Sequence, residues 1–308
     1  MHVAWLRGRL GAQVRLFTMP PEQVIALHNK AGFVRAAQAM GLAAPSSAAL
    51  GSPGGAELAR SGAVVVKPLL ACSGRGMHIV RGGEALPDAD PADPAIVQRF
   101  VTGHEYSSCT VAHEGRVTAT MVYRGTVMSG SVAVAFERVE QPAISQWIAR
   151  FVAASQWSGF IAFDFIVDAA GTVWGIECNP RATSGVHFWE AEDIARAVLD
   201  PAAQLPIRVR RHRHMQQFYA CLTETQMAMF RRQGFRRSLA CLLTARDVTW
   251  EWRDPWPFLS MILTSWPIIR MSIMQGATFG EVATRDVGWY GRGAASDVAR
   301  IAGSALRS

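Results

Sequence analysis

Lysine is nearly absent from this chain: of 31 Lys and Arg residues only Lys30 and Lys67 are lysine, and arginine carries the positive charge everywhere else. A chain with that habit keeps an ammonium where a compact, mobile point charge serves better than a planar fork, although chance placement also accounts for two lysines. Cysteine is sparse too. Cys72, Cys109, Cys178, Cys221 and Cys241 are odd in number and widely spaced, with no Cys-x-x-Cys pair, which argues against a zinc ribbon or a redox dithiol and leaves buried thiols. No Gly-x-x-x-x-Gly-Lys-Ser/Thr occurs, so there is no P-loop. Internal repeats and low-complexity tails are missing. Residues 1–10 lack the continuous apolar run and small-residue cleavage pattern of a secretory signal, and the expected location is cytoplasmic.

What is present is a chain of 308 residues, half of them hydrophobic, long enough for one large domain or two ordinary ones. The net charge of +7 is local. Between Pro206 and Arg237 stand eight arginines and a single acid, Glu224, so that segment carries all of it. It fits a solvated helical face better than a nucleic-acid or membrane surface, since no nucleic-acid motif and no regular aromatic interleaving accompany it.

Asn29 to Met40 has the spacing of a short amphipathic helix, stopped by Gly41 and followed by Pro45. Ala63 to Val66 reads as a buried strand ending at Lys67-Pro68, followed by a glycine turn at Ser73-Gly74-Arg75-Gly76 and a short strand over Met77 to Val80. Further strands are expected over Ala95 to Val101, Glu105 to Val111 and Arg116 to Tyr123, and helices over Ile144 to Trp157 and Phe188 to Leu199. Beyond Pro201 the chain turns Arg- and Met-rich and mainly helical. The apolar stretch from Trp256 to Met274 contains Pro257, Pro267 and Arg270, so a packed or surface-lying helix pair is expected there and not a transmembrane span.

Phe160 to Val167 and Thr172 to Cys178 form the two arms of an expected hairpin. A turn centred on Ala170-Gly171 sets Asp164 directly across from Glu177. Alternation then puts Ile166, Asp168, Gly175 and Asn179 on their face, and Phe163, Phe165, Val167, Trp174, Ile176 and Cys178 on the other. Two carboxylates and an amide oxygen make a sparse all-oxygen set suited to magnesium. By spacing alone, the same face fits ordinary solvated acids. Arg181 follows at once and is placed to meet phosphate oxygens.

Four landmarks, in order, carry a family resemblance: Asn29-Lys30 opening a helix; Val66-Lys67-Pro68 with the glycine turn; Val97-Gln98-Arg99-Phe100-Val101 with Gly103 and Glu105; and Phe163-Asp164-Phe165 with Glu177-Cys178-Asn179-Pro180-Arg181. The chain resembles ATP-grasp enzymes over about residues 26–200, in the branch containing carbamoyl-phosphate synthase and biotin carboxylase. The resemblance implies an α+β fold in which two α/β lobes clamp ATP, with a mainly helical C-terminal region. It divides the chain into a remnant over 1–25, an ATP-grasp domain over 26–203 and an extension over 204–308, the preceding α/β domain of the family being largely missing. It further implies that Lys30 and Lys67 hold ATP phosphates, and that Ser73, Gly74, Arg75 and Gly76 fold over them. Gln98, Arg99, Phe100 and Val101 would line adenine and Glu105 the ribose. Asp164, Glu177 and Asn179 would hold Mg2+ or Mn2+, and Arg181, with Lys67, would steady the phosphoryl group in transfer. Ser184, His187 and Glu190 would face the acceptor.

The activity implied is ATP-dependent activation of a small-molecule carboxylate as an acylphosphate, for attack by an amine or similar nucleophile. Rival readings are an ATP-binding protein without turnover and a basic adaptor using the fold as scaffold. A partner or a second copy of the chain is expected to supply the missing N-terminal surface.

Overall fold

The computed structural model describes residues 10, 14, 16–71, 74, 76–199, 207–231 and 234–283. Two sheets dominate. The smaller has four antiparallel strands in the order β1-β4-β2-β3, with β1 Ser47–Ala49, β2 Val64–Pro68, β3 His78–Val80 and β4 Ala95–Arg99. Val64, Val66, Val80 and Val97 form its core, and Leu58 of helix Pro53–Ser61 packs on them. The larger sheet runs β11-β10-β7-β6-β5-β8-β9, with β5 His104–His113, β6 Arg116–Ser129, β7 Val132–Arg138, β8 Gly159–Val167, β9 Val173–Asn179, β10 His214–Gln216 and β11 Arg246–Asp247. Its pairings are antiparallel except for β10 with β11. This is the expected α+β architecture.

One face of the large sheet is packed by helices Lys30–Ala39 and Pro142–Ser155. The latter buries Ile144, Trp147, Ile148, Phe151 and Val152, an i, i+3, i+4, i+7, i+8 stripe. Trp147 stacks on Phe151 at 5.4 Å and meets Phe165 edge-on at 5.1 Å, while Phe151 meets Phe163 at 5.0 Å. The opposite face packs Cys109, Met121, Tyr123, Phe136, Phe188 and Met215.

The hairpin departs from its simple register in one place. Asp164 does oppose Glu177, but β9 bulges beside that pair, so Phe165 opposes Gly175 and Ile166 opposes Trp174. Gly175 therefore faces the aromatic core and Trp174 the acid side, the reverse of the alternation expected from sequence. The cause is steric: a Cβ on Gly175 would lie 2.7 Å from the Trp147 indole, so only glycine fits against that wall. The bulge inserts the extra residue that lets Trp174 cross to the outside.

Other expectations shift more. Helix Pro21–His28 precedes the expected first helix, and β1 and β7 lie in stretches where no strand was expected. Ser184–Phe188 is a 3-10 turn, and the helix expected from Phe188 begins at Ala191. The Arg-rich segment is not a helical face throughout. From residue 207 it runs extended into β10, because Arg208 is drawn to Asp193 (2.9 Å) and Arg210 to Glu190 (3.7 Å) and Glu251 (3.5 Å). Trp256–Gln275 is one continuous helix and not a pair: Pro257 sits in its first turn, where no N–H is needed, and Pro267 lies inside it without ending it.

Among the described residues, Cys109, Cys178 and Cys221 are buried free thiols and Cys241 is half-buried. Burial pushes the Cys109 and Cys178 thiols up and Cys221 to about 11, so they stay protonated.

Candidate functional site

A row of four residues crosses the large sheet at right angles to its strands: Tyr123 on β6, Ser107 on β5, Asp164 on β8 and Glu177 on β9. Ser107 Oγ donates to Asp164 Oδ1 at 2.7 Å and Asn179 Nδ2 to Asp164 Oδ2 at 3.0 Å. Asp164, half-buried, is thus held by hydrogen bonds on both oxygens. Burial, and then the Glu177 charge across the strand, push its carboxyl up to about 6, while the Ser107 hydrogen bond pulls the other way.

Cations approach from two other elements. Lys30 opens helix Lys30–Ala39, whose N-cap Asn29 accepts from Gly32 N at 3.0 Å. Its backbone N–H reaches Leu69 O at 3.1 Å, and its Nζ donates to Ala71 O at 2.6 Å and lies 3.5 Å from Glu177 Oε1. Lys30 therefore ties the start of the glycine loop to the acid row. Lys67, at the end of β2, is buried and donates to Gln98 Oε1 at 2.8 Å, and Gln98 Nε2 in turn donates to Ser47 Oγ at 3.1 Å. Burial lowers Lys67 to about 8, with the charges of Glu177, Asp164 and Glu105 opposing the shift. Arg181 follows β9 directly, with Nη2 3.4 Å from Asn179 Oδ1.

Lys30, Lys67, Asp164, Glu177, Asn179 and Arg181 thus converge on one place, with Glu105 near enough to act on Lys67. The remaining expected residues are placed differently. Gln98 spends its side chain on Lys67. Arg99 lies over Trp174, 4.6 Å from the ring centre, which bridges the two sheets through β4 and β9. Phe100 is exposed, and its N–H donates to Ala63 O at 3.0 Å; Val101 follows just beyond β4. Ser73 and Arg75 lie outside the described residues. Gly74 and Gly76 adopt φ of 66° and 67°, a left-handed conformation that glycine takes without strain. A Cβ on Gly74 would sit 3.0 Å from Ser131 Cβ, so the loop leans onto the β6–β7 turn of the large sheet.

Ser184 lies in the 3-10 turn, His187 is half-buried with its ring 6.4 Å from Phe136, and Glu190 pairs with Arg210. Desolvation first, and then the Arg210 charge, lower the His187 pKa.

Three participants were not anticipated from sequence. Ser107 holds Asp164, and its position across β5 from Asp164 was the available signal. Trp174 faces the acid side, whereas simple alternation puts it with the aromatic core. His28 lies buried just before Lys30, lowered to about 4 by burial and then by the Lys30 charge, and is therefore neutral at physiological pH. Asn29 Nδ2 is a buried donor with no hydrogen-bond partner among the described residues.

Among the described residues, no three His, Cys, Asp or Glu side chains cluster as a self-sufficient metal cage. The donor set here is two carboxylates and an amide, which suits a cation that takes its other ligands from phosphate and water. Two acids facing each other, one with its pKa raised, also form a place where a divalent cation relieves repulsion. The residues present fit magnesium.

Residues 28–185, slightly over half of the chain, match the ATP-grasp domain family. No curated protein matches by sequence. Among solved structures, the chain is similar to phosphoribosylamine–glycine ligase of Thermotoga maritima (16% identity, TM-score 0.52, covering 65% of this chain and 61% of the other). It is similar to biotin carboxylase of Campylobacter jejuni in complex with a β,γ-ATP ligand (14%, 0.56, 69% and 55%). It is also similar to pyruvate carboxylase of Rhizobium etli (17%, 0.54, 69% and 22%). The chain spans less than two thirds of the length of each.

Proposed function

This chain belongs to the ATP-grasp family, and we propose that it uses ATP to activate a carboxylate as an acylphosphate, which an amine or similar nucleophile then attacks. The observation that carries this reading is the convergence of Asp164, Glu177 and Asn179 with Lys30, Lys67 and Arg181 at one end of the large sheet, facing the glycine loop. Three cations and two acids on so small a surface suit a polyphosphate with its metal better than they suit one another.

In this reading Asp164, Glu177 and Asn179 would hold magnesium, which would supply charge neutralisation to the phosphate oxygens. Ser107 fixes the rotamer of Asp164. Lys30 exchanges Glu177 and Ala71 for phosphate oxygens, and Lys67 exchanges Gln98. Its lowered pKa reflects a buried ammonium with too little compensating charge, a deficit that phosphate would fill. Arg181 supplies a planar fork to the phosphoryl group in transfer. Gly74 and Gly76 allow backbone N–H groups to come close to phosphate. No general base is required for the phosphoryl step, since an ionised carboxylate is already the nucleophile and catalysis rests on positioning and charge.

The test is ADP release with magnesium against panels of carboxylates, each with and without amines. The expected result is release that depends on one carboxylate and increases with one amine. ATP binding without ADP release under every combination would leave a nucleotide-binding protein, and absence of ATP binding would leave a scaffold.

A further inference from the structure

Helix Trp256–Gln275 is built inside out. Phe258, Met261, Ser265, Ile268, Ile269 and Ser272 form the stripe turned toward the rest of the chain. Phe258 packs on Phe218, Tyr219 and Trp250, and Ile268 and Ile269 pack on the cluster that contains Cys221 and Phe279. The two side chains most deeply buried on this helix are the serines Ser265 and Ser272. The opposite side carries larger apolar groups in the open: Trp256 is 73% exposed, Leu263 78%, Trp266 61% and Ile273 75%, with Leu259 and Ile262 between them. At 3.6 residues per turn these six fall within an arc of roughly 120°.

An arc this apolar on a helix about 30 Å long is far more than the scattered surface leucine that needs no explanation. Among the described residues this is the one helix long and apolar enough to cross a membrane. Crossing is disfavoured by its packing, because a span would strip the inner stripe from its protein contacts and carry Arg270 into hydrocarbon.

The charges identify a better occupant. The helix contains no acid, and its single charge, Arg270, falls within the apolar arc, where a long guanidinium stem can lie among apolar groups while its head reaches phosphate. Trp256 and Trp266 are the side chain most at home at the boundary between headgroups and acyl chains. Residues 204–283 hold eleven arginines against five acids, and with Arg208 paired to Asp193 and Arg210 to Glu190 from outside that window a net charge of +4 is left. Trp252, immediately before the helix, is exposed as well.

We propose that this helix lies flat on an anionic lipid bilayer, with its outer arc sunk into the headgroup layer and the neighbouring arginines facing lipid phosphate. The site so defined is distinct from the nucleotide site, and the proposal stands whether or not the chain turns over ATP.

Sedimentation of the full chain with sucrose-loaded phosphatidylcholine vesicles, with and without phosphatidylglycerol, tests it. Wild type is expected to pellet with the anionic vesicles, weakly with the neutral ones, and to be released by high salt. Leu263→Ser with Trp266→Ser removes two exposed side chains and is expected to lower vesicle affinity at least about tenfold while leaving the melting temperature unchanged. Trp256→Ser with Ile273→Ser is the second variant, should the first melt early.

Failure to pellet with either vesicle overturns the proposal, as does equal pelleting of wild type and both folded variants. Equal binding to neutral vesicles removes the role of the arginines. Release only by detergent makes the helix a span. A concentration-dependent dimer, lost in the variants and without vesicle binding, assigns the face to a second copy.

Discussion

Replacing Asp164 with Asn is expected to change stability in opposite directions with and without ligand. A carboxyl whose folded pKa lies above its unfolded value costs nothing below about pH 4, and its full cost is present above about pH 6. For Asp164, raised from 3.8 to about 6, the shift of about two units corresponds to on the order of 3 kcal/mol at neutral pH without a bound cation. Asn removes that cost and can still accept from Ser107 Oγ. Its amide nitrogen, however, opposes Asn179 Nδ2, which forfeits a hydrogen bond of about 1 kcal/mol. The ligand-free variant should therefore be about 1–2 kcal/mol more stable, raising the melting temperature by roughly 2–8 °C.

Magnesium and ATP should reverse the order. At a hundredfold excess over Kd, wild type gains about 2.7 kcal/mol from ligand, and most of that gain should vanish in Asp164→Asn because the metal has lost a charged ligand. Glu177→Gln should lose it in the same way, and the double variant should be scarcely worse than either single one. Differential scanning fluorimetry of the four proteins with and without magnesium and an ATP analogue measures all of this. An undiminished ligand shift in Asp164→Asn, or a ligand-free variant less stable than wild type, refutes the reasoning.

Lys67→Ala should weaken binding of an ATP analogue about ten- to a hundredfold by calorimetry, as a charge-assisted hydrogen bond is worth about 1.5–3 kcal/mol. Gly175→Ala forces a methyl against the Trp147 indole, itself wedged among aromatic rings, and should cost about 1–3 kcal/mol in urea unfolding. Asp193 is held down to about 2 by the hydrogen bonds from Arg208, so the stability it contributes is fully present above about pH 4 and is lost as pH falls toward 2. Acid titration of the melting temperature should show a shallower decline over that window in Asp193→Asn than in wild type.

The parts of the fold written locally were legible in the sequence. A run of β-branched residues before Lys67-Pro68 reads as a strand, and the Asp164–Glu177 pair is expected from alternation about a turn at Ala170-Gly171; in the structure Val167 opposes Val173, and it is the bulge that brings Asp164 opposite Glu177 in place of Ile176. The bulge beside that pair was not legible: its cause is the Trp147 ring, which arrives from a helix elsewhere in the chain and leaves room only for Gly175. β1 is three residues of Ser and Ala with no strand preference of their own, held by pairing with β4. The cations of the candidate site stood out because lysine is so rare here. Ser107 and His28 did not, since a lone serine in a strand and a lone histidine at a helix end become informative only once the sheet has brought Asp164 and Lys30 beside them.

The short strand β10 has a further consequence. It lies along the outer side of β7, with Met215 opposite Phe136. Two more backbone bonds, Arg138 N to Arg213 O and Gln217 N to Val134 O, extend the seam. A chain cut after residue 203 would leave that side of β7 as an open row of N–H and C=O groups flanked by Val134 and Phe136, a template for any passing strand. The helical extension is thus the hem of the large sheet as well as a carrier of other surfaces. Trimming it away to isolate the residues that match the family would be expected to yield aggregates before it yields a smaller folded domain.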